Sequence, residues 1–261
     1  MAEMENPYQT PAAHVADVLD DAAPDSAYIE GGRAVAAGRG FAWIREGWDI
    51  FRRQWGMWLV LVVIFVLIFV GIGFIPVLNL LITFFLPVFV AGLMTGCQHV
   101  ARGGELELAH LFAGFRRNTG QLVLVGIIGF VLAFVAAIPI SLVVGLTAWG
   151  AAASSANPLA AFGVGTLIAG LVTLALLIPI NMAMWFAPSL VMLQDQSAPR
   201  AIGQSFRGCI KNIVPFLLYG VIAFLMGIVA TLTFGLAWFV FGPVLLCSVY
   251  AGYRDIFFAP R

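Results

Sequence analysis

The chain has 261 residues, 62% hydrophobic and 10% charged, with a mean hydropathy of +1.01 and a formal net charge of zero. These values lie far outside the soluble globular range, in which charged residues make up about 25%. They exclude an ordinary water-soluble domain and leave a membrane protein whose zero net charge conceals a polarised layout.

Residues 1–40 read as an acidic, largely disordered tail. Residues 1–30 hold seven acids and no Lys or Arg, and Asn6-Pro7-Tyr8-Gln9-Thr10-Pro11 is rich in turn formers. The Ala/Asp/Gly-rich stretch after it cannot bury a core, although a short helix fits around 14–21. No basic segment followed by an apolar core appears here, so the first span is expected to be an uncleaved anchor. From Phe41 the character changes. Ile44, Trp48, Phe51 and Trp55, at steps of 4, 3 and 4, predict an amphipathic helix with one apolar stripe in the headgroup layer, beside Arg45, Arg52 and Arg53.

Several uncharged runs exceed the roughly 18–20 residues that cross a bilayer as helix. Residues 58–74 are apolar throughout, without the alternation of a barrel strand, so the spans are helical. Span 1 covers about 57–74, a tight turn follows at 75–78, and span 2 covers about 79–98. The polar segment 99–121 predicts a second amphipathic helix, with Leu108, Leu111, Phe112 and Phe115 ahead of Arg116-Arg117. Span 3 runs about 122–149 and a small-residue loop follows at 150–160. Span 4, about 161–193, is long enough to tilt, kink or project into water. The third polar segment is 194–211, span 5 is about 212–232, a turn lies at 233–235, and span 6 ends near Tyr253.

Every charge lies before span 1, in 99–121, in 194–211 or at the C-terminus, whereas the turns at 75–78, 150–160 and 233–235 carry none. Six spans with basic residues on one border place both termini in the cytoplasm of a bacterial inner membrane. The expected fold is an all-α membrane domain over 41–258, with hairpins at about 48–98, 112–193 and 203–253 and interfacial helices on the cytoplasmic side.

The hairpins look like three versions of one unit. Phe51-Arg52-Arg53, Phe115-Arg116-Arg117 and Phe206-Arg207 with Lys211 precede them, and Phe85-Leu86-Pro87, Phe186-Ala187-Pro188 and Phe241-Gly242-Pro243 mark the returning spans. From the first Phe to the proline is 36, 73 and 37 residues, so the central unit is enlarged. The cations Arg52, Arg53, Arg116, Arg117, Arg207 and Lys211 are expected to attract anionic lipid headgroups or a protein partner, at about 1 kcal/mol each near the surface.

The expected spans hold no ionisable side chain other than cysteine and tyrosine, which disfavours ion-coupled transport. In the central hairpin Ile138-Pro139-Ile140-Ser141 is echoed by Ile178-Pro179-Ile180-Asn181. Each proline frees a carbonyl four residues back, on Val135 and Ala175, so Pro139, Ser141, Pro179 and Asn181 could build a small polar pocket; alternatively, Ser141 and Asn181 bond neighbouring helices. Gly129, Ala133, Ala137, Ser141 and Gly145 form a small-residue stripe, matched by Ala161, Gly165 and Ala169, which predicts contact between spans 3 and 4. His99, Glu105, Glu107 and His110 match no metal-ligand spacing and read as a solvated connector. Cys97, Cys209 and Cys247 form no CxxC or CxxH arrangement and read as small buried hydrophobes, Cys209 being also a palmitoylation candidate.

Tyr253-Arg254-Asp255-Ile256-Phe257 closes the last span with aromatics at the interface. Asp255 sits at a helix C-terminus, where the macrodipole disfavours an anion, so a cationic partner is expected among Arg52, Arg116 and Arg207. This terminal run, Gly47-Trp48 with Phe51, and Asp195 with Ala201, Ser205 and Asn212 resemble a family of uncharacterised bacterial six-span inner-membrane proteins. That family is distantly similar to the membrane-anchor domain of glycerophosphodiester phosphodiesterases. The resemblance covers about residues 41–258 and implies no activity. No catalytic residue, cofactor, metal or nucleic-acid partner is expected. The leading expectation is a non-enzymatic membrane scaffold or lipid-interacting protein; the rival is a passive permease or channel for a small uncharged or weakly polar solute.

Overall fold

The computed structural model describes residues 27–154 and 163–259. Asn6-Pro7-Tyr8, the helix expected around 14–21, and residues 155–160 of the small-residue loop lie outside the described residues. Among the described residues the architecture is all-helical. α1 (Arg39–Arg53) leads into α2 (Trp55–Gly73), α3 (Pro76–Ala101) returns, and a 3-10 helix, Leu108–Phe115, precedes α4 (Thr119–Ser154). The second half holds α5 (Val164–Trp185), α6 (Ala187–Gln194), α7 (Ala198–Ile210), α8 (Ile213–Leu232) and α9 (Trp238–Phe257). Proline in the first turn opens α3, α6 and α7, where its missing N–H leaves no intrahelical bond unmade.

Among the described residues, five stretches are long and apolar enough to cross a bilayer: Trp55–Gly73, Leu81–Ala101, Thr119–Gly150, Gly165–Gln194 and Ile213–Leu232. The fourth is broken at Phe186. There the Ser205 hydroxyl enters the helical ladder, accepting from the Phe186 N–H at 2.9 Å and donating to the Met182 carbonyl at 2.8 Å. An inserted side chain of this kind is a recognised cause of a helix break. α9 has 20 residues, but its last two turns include Tyr250, Tyr253, Arg254 and Asp255, which lower its hydropathy.

Buried side chains gather towards the end of the bundle that carries the charges. Gln54 bonds Gly104, Arg117 bonds Asp195, Arg200 bonds Glu30 and Arg39 bonds Asp255, so all the polar segments share that end. The core there comes mainly from the returning helices: Val88 and Cys97 of α3, Leu190 of α6, and Cys247 and Ile256 of α9 are each fully buried. At the other end Phe74 is 82% and Phe234 98% exposed. Hydrocarbon solvates apolar side chains as well as protein does, so that end gains nothing from burying them.

α1 departs from expectation. Trp48 and Trp55 are exposed, but Phe51 is buried and Ile44 partly so. A second face, Gly40, Trp43, Gly47 and Ile50, packs inward on α8 and α9. A Cβ at Gly40 would stand 2.1 Å from the Pro215 carbonyl oxygen, and one at Gly47 2.6 Å from the Ser248 nitrogen. Only a helix face without side chains allows backbones so close. The α4–α5 contact forms as the small residues suggest, with Gly129 against Met184, Gly165 against Val143 and Gly170 against Ile140. Ser141 is exposed, however, and Gly145 meets nothing. A stripe repeating every fourth residue drifts by about 40° per step on a 3.6-residue helix, which turns its far end away from the neighbour.

Candidate functional site

The first candidate is the clasp around Asp255. Its carboxylate accepts from Arg33 Nη2 at 2.7 Å, Arg39 Nε at 2.5 Å and Trp43 Nε1 at 2.9 Å. The need for cations at this helix end is met, but not by Arg52, Arg116 or Arg207. The partners come from the chain just before α1 and from α1 itself, because residues 28–33 run alongside the end of α9. Ile29 N–H donates to the Phe257 carbonyl and Arg33 N–H to that of Ile256, each at 2.8 Å, and Tyr28 pairs with Phe258 in an antiparallel bridge. This part of the expected tail is therefore packed. Glu46 extends the network to Arg39 at 2.8 Å and Arg254 at 3.0 Å. Burial works against the Arg39 charge, but the Asp255 and Glu46 carboxylates together outweigh it and raise the guanidinium above its ordinary value. Tyr253 and Phe257 are buried with their rings in tilted contact, centroids 5.8 Å apart, packing the signature's aromatics inward.

Three side-chain amides, of which only Asn212 was singled out in the sequence and that through the resemblance, do related work. Gln54 donates to the Gly104 carbonyl at 3.0 Å and accepts from the Leu106 N–H at 2.5 Å. Asn212 donates to the Arg33 carbonyl and accepts from the Val35 N–H, each at 2.8 Å. Asn118 donates to the Val191 carbonyl at 3.0 Å and to Asp195 at 2.7 Å. Each amide follows a cation that holds the same segment. Arg53 reaches the Val100 carbonyl at 3.3 Å, Arg117 pairs with Asp195, and Lys211 Nζ donates to the carbonyls of Gly31 and Gly32 at 3.0 and 2.7 Å. Asn118 and Asp195 both have left-handed backbones, which short polar side chains tolerate. Hydrogen bonds from Asn118 and Arg117 hold the Asp195 carboxyl below its ordinary value. The legible signal was an amide directly after a basic residue at the start of a span: Arg53-Gln54, Arg117-Asn118, Lys211-Asn212.

The cations expected to meet lipid thus divide. Arg53, Arg117 and Lys211 hold protein segments. Arg52 pairs with Asp49 at 2.9 Å while 64% exposed, and Arg116 and Arg207 are exposed, as is Arg45. Exposed Phe41, Trp48 and Trp55 lie on and beside α1, and exposed Leu108, Phe112 and Phe115 immediately precede Arg116. His99 and His110 face each other with ring centroids 5.2 Å apart, and His110 Nδ1 accepts from the Glu107 N–H at 2.9 Å. Burial, reinforced by His99, lowers the His110 pKa. Cys209 is buried, which pushes its thiol up to about 12, so it is ill placed for acylation. Cys97 and Cys247, also buried, bring their sulfurs to 3.5 Å.

The second candidate is a cavity at membrane depth. Ser141 bonds its own helix at the Ala137 carbonyl (2.8 Å) and Asn181 its own at Leu177 (2.9 Å), so neither bonds a neighbouring helix. Asn181 lines two cavities beside α5, each of about 550 Å3, and Pro139, Ser141 and Pro179 are not among the residues lining these two. One is bounded by α3, α4 and α5 and includes Thr83, Pro87, Gly129, Met184 and Pro188. The other opens between α5 and the α7–α8 junction and includes Trp185, Ile213, Leu217 and Tyr219. Of the four residues expected to form a polar pocket, Asn181 is the one that lines these two cavities.

The chain is similar to a curated protein of Burkholderia thailandensis that carries the name probable inner membrane protein. The two are 27% identical over 253 residues, covering 85% of this chain and 92% of that one. No family model matches the chain, and no solved structure matches it.

Proposed function

We propose that the chain is an inner-membrane scaffold that holds anionic lipid at its charged border and has no catalytic activity of its own. In this reading it makes six crossings, α9 being the sixth, with both termini in the cytoplasm. It is built as three repeats, each a cation–amide pair, a pair of spans and a core-forming return. The three latches at Arg53-Gln54, Arg117-Asn118 and Lys211-Asn212 support the repeat. Each unit clamps the lead-in of the next, and the third clamps the lead-in of the first, residues 31–35. The similarity to the Burkholderia protein supports the location. The likeness to the anchor of glycerophosphodiester phosphodiesterases concerns anchoring, not hydrolysis.

One observation carries the lipid reading. Arg45, Arg52, Arg116 and Arg207 are exposed at the border shared by the polar segments, with exposed Trp48, Phe112 and Phe115 on the same elements to fix depth. At about 1 kcal/mol per cation, each arginine strengthens retention of an acidic headgroup roughly fivefold. The test is native mass spectrometry of protein extracted from mixed phosphatidylglycerol and phosphatidylcholine. The wild type should retain the anionic lipid selectively, and the Arg45→Gln/Arg52→Gln/Arg116→Gln/Arg207→Gln variant should lose that selectivity. Equal retention by the two proteins would end the reading. The permease alternative has Asn181 in its favour, and requires solute flux in proteoliposomes that Asn181→Ala abolishes.

A further inference from the structure

The cavity bounded by α3, α4 and α5 has a chemistry the scaffold reading does not use. Its walls are apolar and none of its lining residues carries an ionisable side chain. Its polar functions are the Thr83 hydroxyl, the Trp185 indole N–H, the Asn181 amide and backbone. Pro87 has no N–H for the carbonyl four residues back, on Thr83, and across the break at Phe186 Pro188 offers none to the carbonyl of Met184, in the last turn of α5. Both prolines and both of those residues line this one cavity. Asn181 stands at the same wall. One of its two amide hydrogens is given to Leu177, leaving the second and the Oδ1 oxygen. Asn181 and Trp185 also line the cavity on the other side of α5, where Ile213 and Leu217 are 57% and 66% exposed to the hydrocarbon.

We propose that this site binds a neutral amphiphile with a hydroxyl head, its alkyl chain lying along the apolar wall and its hydroxyl at Asn181 between the proline-freed carbonyls. A charged head is excluded because no counter-ion lines the cavity and burying an unpaired charge is costly. A pure hydrocarbon would leave the carbonyls and amide without partners. A hydroxyl donates and accepts at once, which is what an amide beside a free carbonyl requires. The ligand arrives sideways from the bilayer through the gap between α5 and α8. The site is independent of the arginines that carry the scaffold reading.

The experiment uses the full chain in nanodiscs of neutral lipid and a diazirine-bearing C12 alcohol as the probe. Photolabel should concentrate on peptides covering 83–90 and 177–188. Excess 1-dodecanol should compete at least tenfold better than dodecyl methyl ether, which lacks the donor, or dodecanoate, which is charged. Asn181→Leu should cut labelling about fivefold or more. Ala133→Phe, which narrows the same cavity and leaves Asn181 in place, should do likewise if the first variant fails to fold. Label spread evenly over the lipid-facing helices, equal competition by the ether, or labelling unchanged in a folded variant would overturn the proposal.

Discussion

Asp255 shows how a single residue can be read correctly for need and wrongly for partner. Its place at a helix C-terminus demanded cations, and that followed from the dipole alone. Which cations answered depended on where the chain before α1 lies, and no periodicity in residues 27–38 reveals that these pack on α9. The side chain is 9% exposed, with Arg33 at 29% and Arg39 at 37%. Breaking a fully buried pair costs about 3–5 kcal/mol; with half-open arginines the figure falls to about 2 kcal/mol. Asp255→Asn keeps the shape and an acceptor for Trp43 but removes the charge that both guanidiniums face. The expected result is that loss in detergent unfolding, with most of it absent when Arg33→Gln and Arg39→Gln are already in place. An equal cost in both backgrounds would show that the arginines do not carry the effect. The bonding role of Gln54, Asn118 and Asn212 went unread for a different reason. An amide has no charge and no hydropathic signature, and only its bonds to Gly104, Val191 and Arg33 reveal its work.

At the scale of elements, hydropathy located the long helices but not which way α1 faces. Its exposed Trp48 was legible, whereas its packing face is built on Gly40 and Gly47, residues that count for little in any apolar pattern. The 3-10 helix Leu108–Phe115 makes a condition-dependent case. Glu107 and His110 form a capping box at its start, in which a neutral imidazole accepts the Glu107 N–H. Burial and then the neighbouring His99 of α3 lower the pKa of His110; Glu107 on its own element acts the other way. An unfolded histidine takes a proton near pH 6.5. Between that value and the lower folded one, the unfolded segment binds more protons, so its stability rises with pH and is lost as pH falls through the window. Protonation also turns Nδ1 from acceptor to donor, which breaks its bond with the Glu107 N–H. Amide exchange over residues 104–115, corrected for its intrinsic pH dependence, should therefore quicken between pH 7.5 and 5.5. In His110→Gln that acceleration should disappear; if it persists, another group is titrating.

For the whole molecule, the separation of charge from apolar sequence carried through to the fold. The polar segments meet at one end, tied together by their own hydrogen bonds and ion pairs, and the core collects beside them where buried contacts still add stability. The sequence could not show that the described chain closes on itself. Ala259 N–H bonds the Ala27 carbonyl at 3.3 Å, and Tyr28 pairs with Phe258, so the first and last described residues are neighbours. If the three latches form a ring, no unit is privileged as the first. A permutant can then begin elsewhere, provided the new ends fall in an exposed connector and every helix is kept. Gly103 meets that condition: a Cβ there would touch nothing within 4 Å, and it lies after α3 and before the 3-10 helix. Joining residue 259 to residue 27 through a short Gly-Ser linker and opening the chain after Gly103 preserves all three latches, the Asp255 clasp and the order of the spans around the ring. The permutant should insert, elute as a monodisperse particle in mild detergent and unfold within about 1–2 kcal/mol of the parent, the usual scale of a perturbation away from the core. In the same permutant, Asn212→Ala should cost as much as it does in the parent, because the latch on residues 33–35 is made by folded contacts and does not depend on where the chain begins.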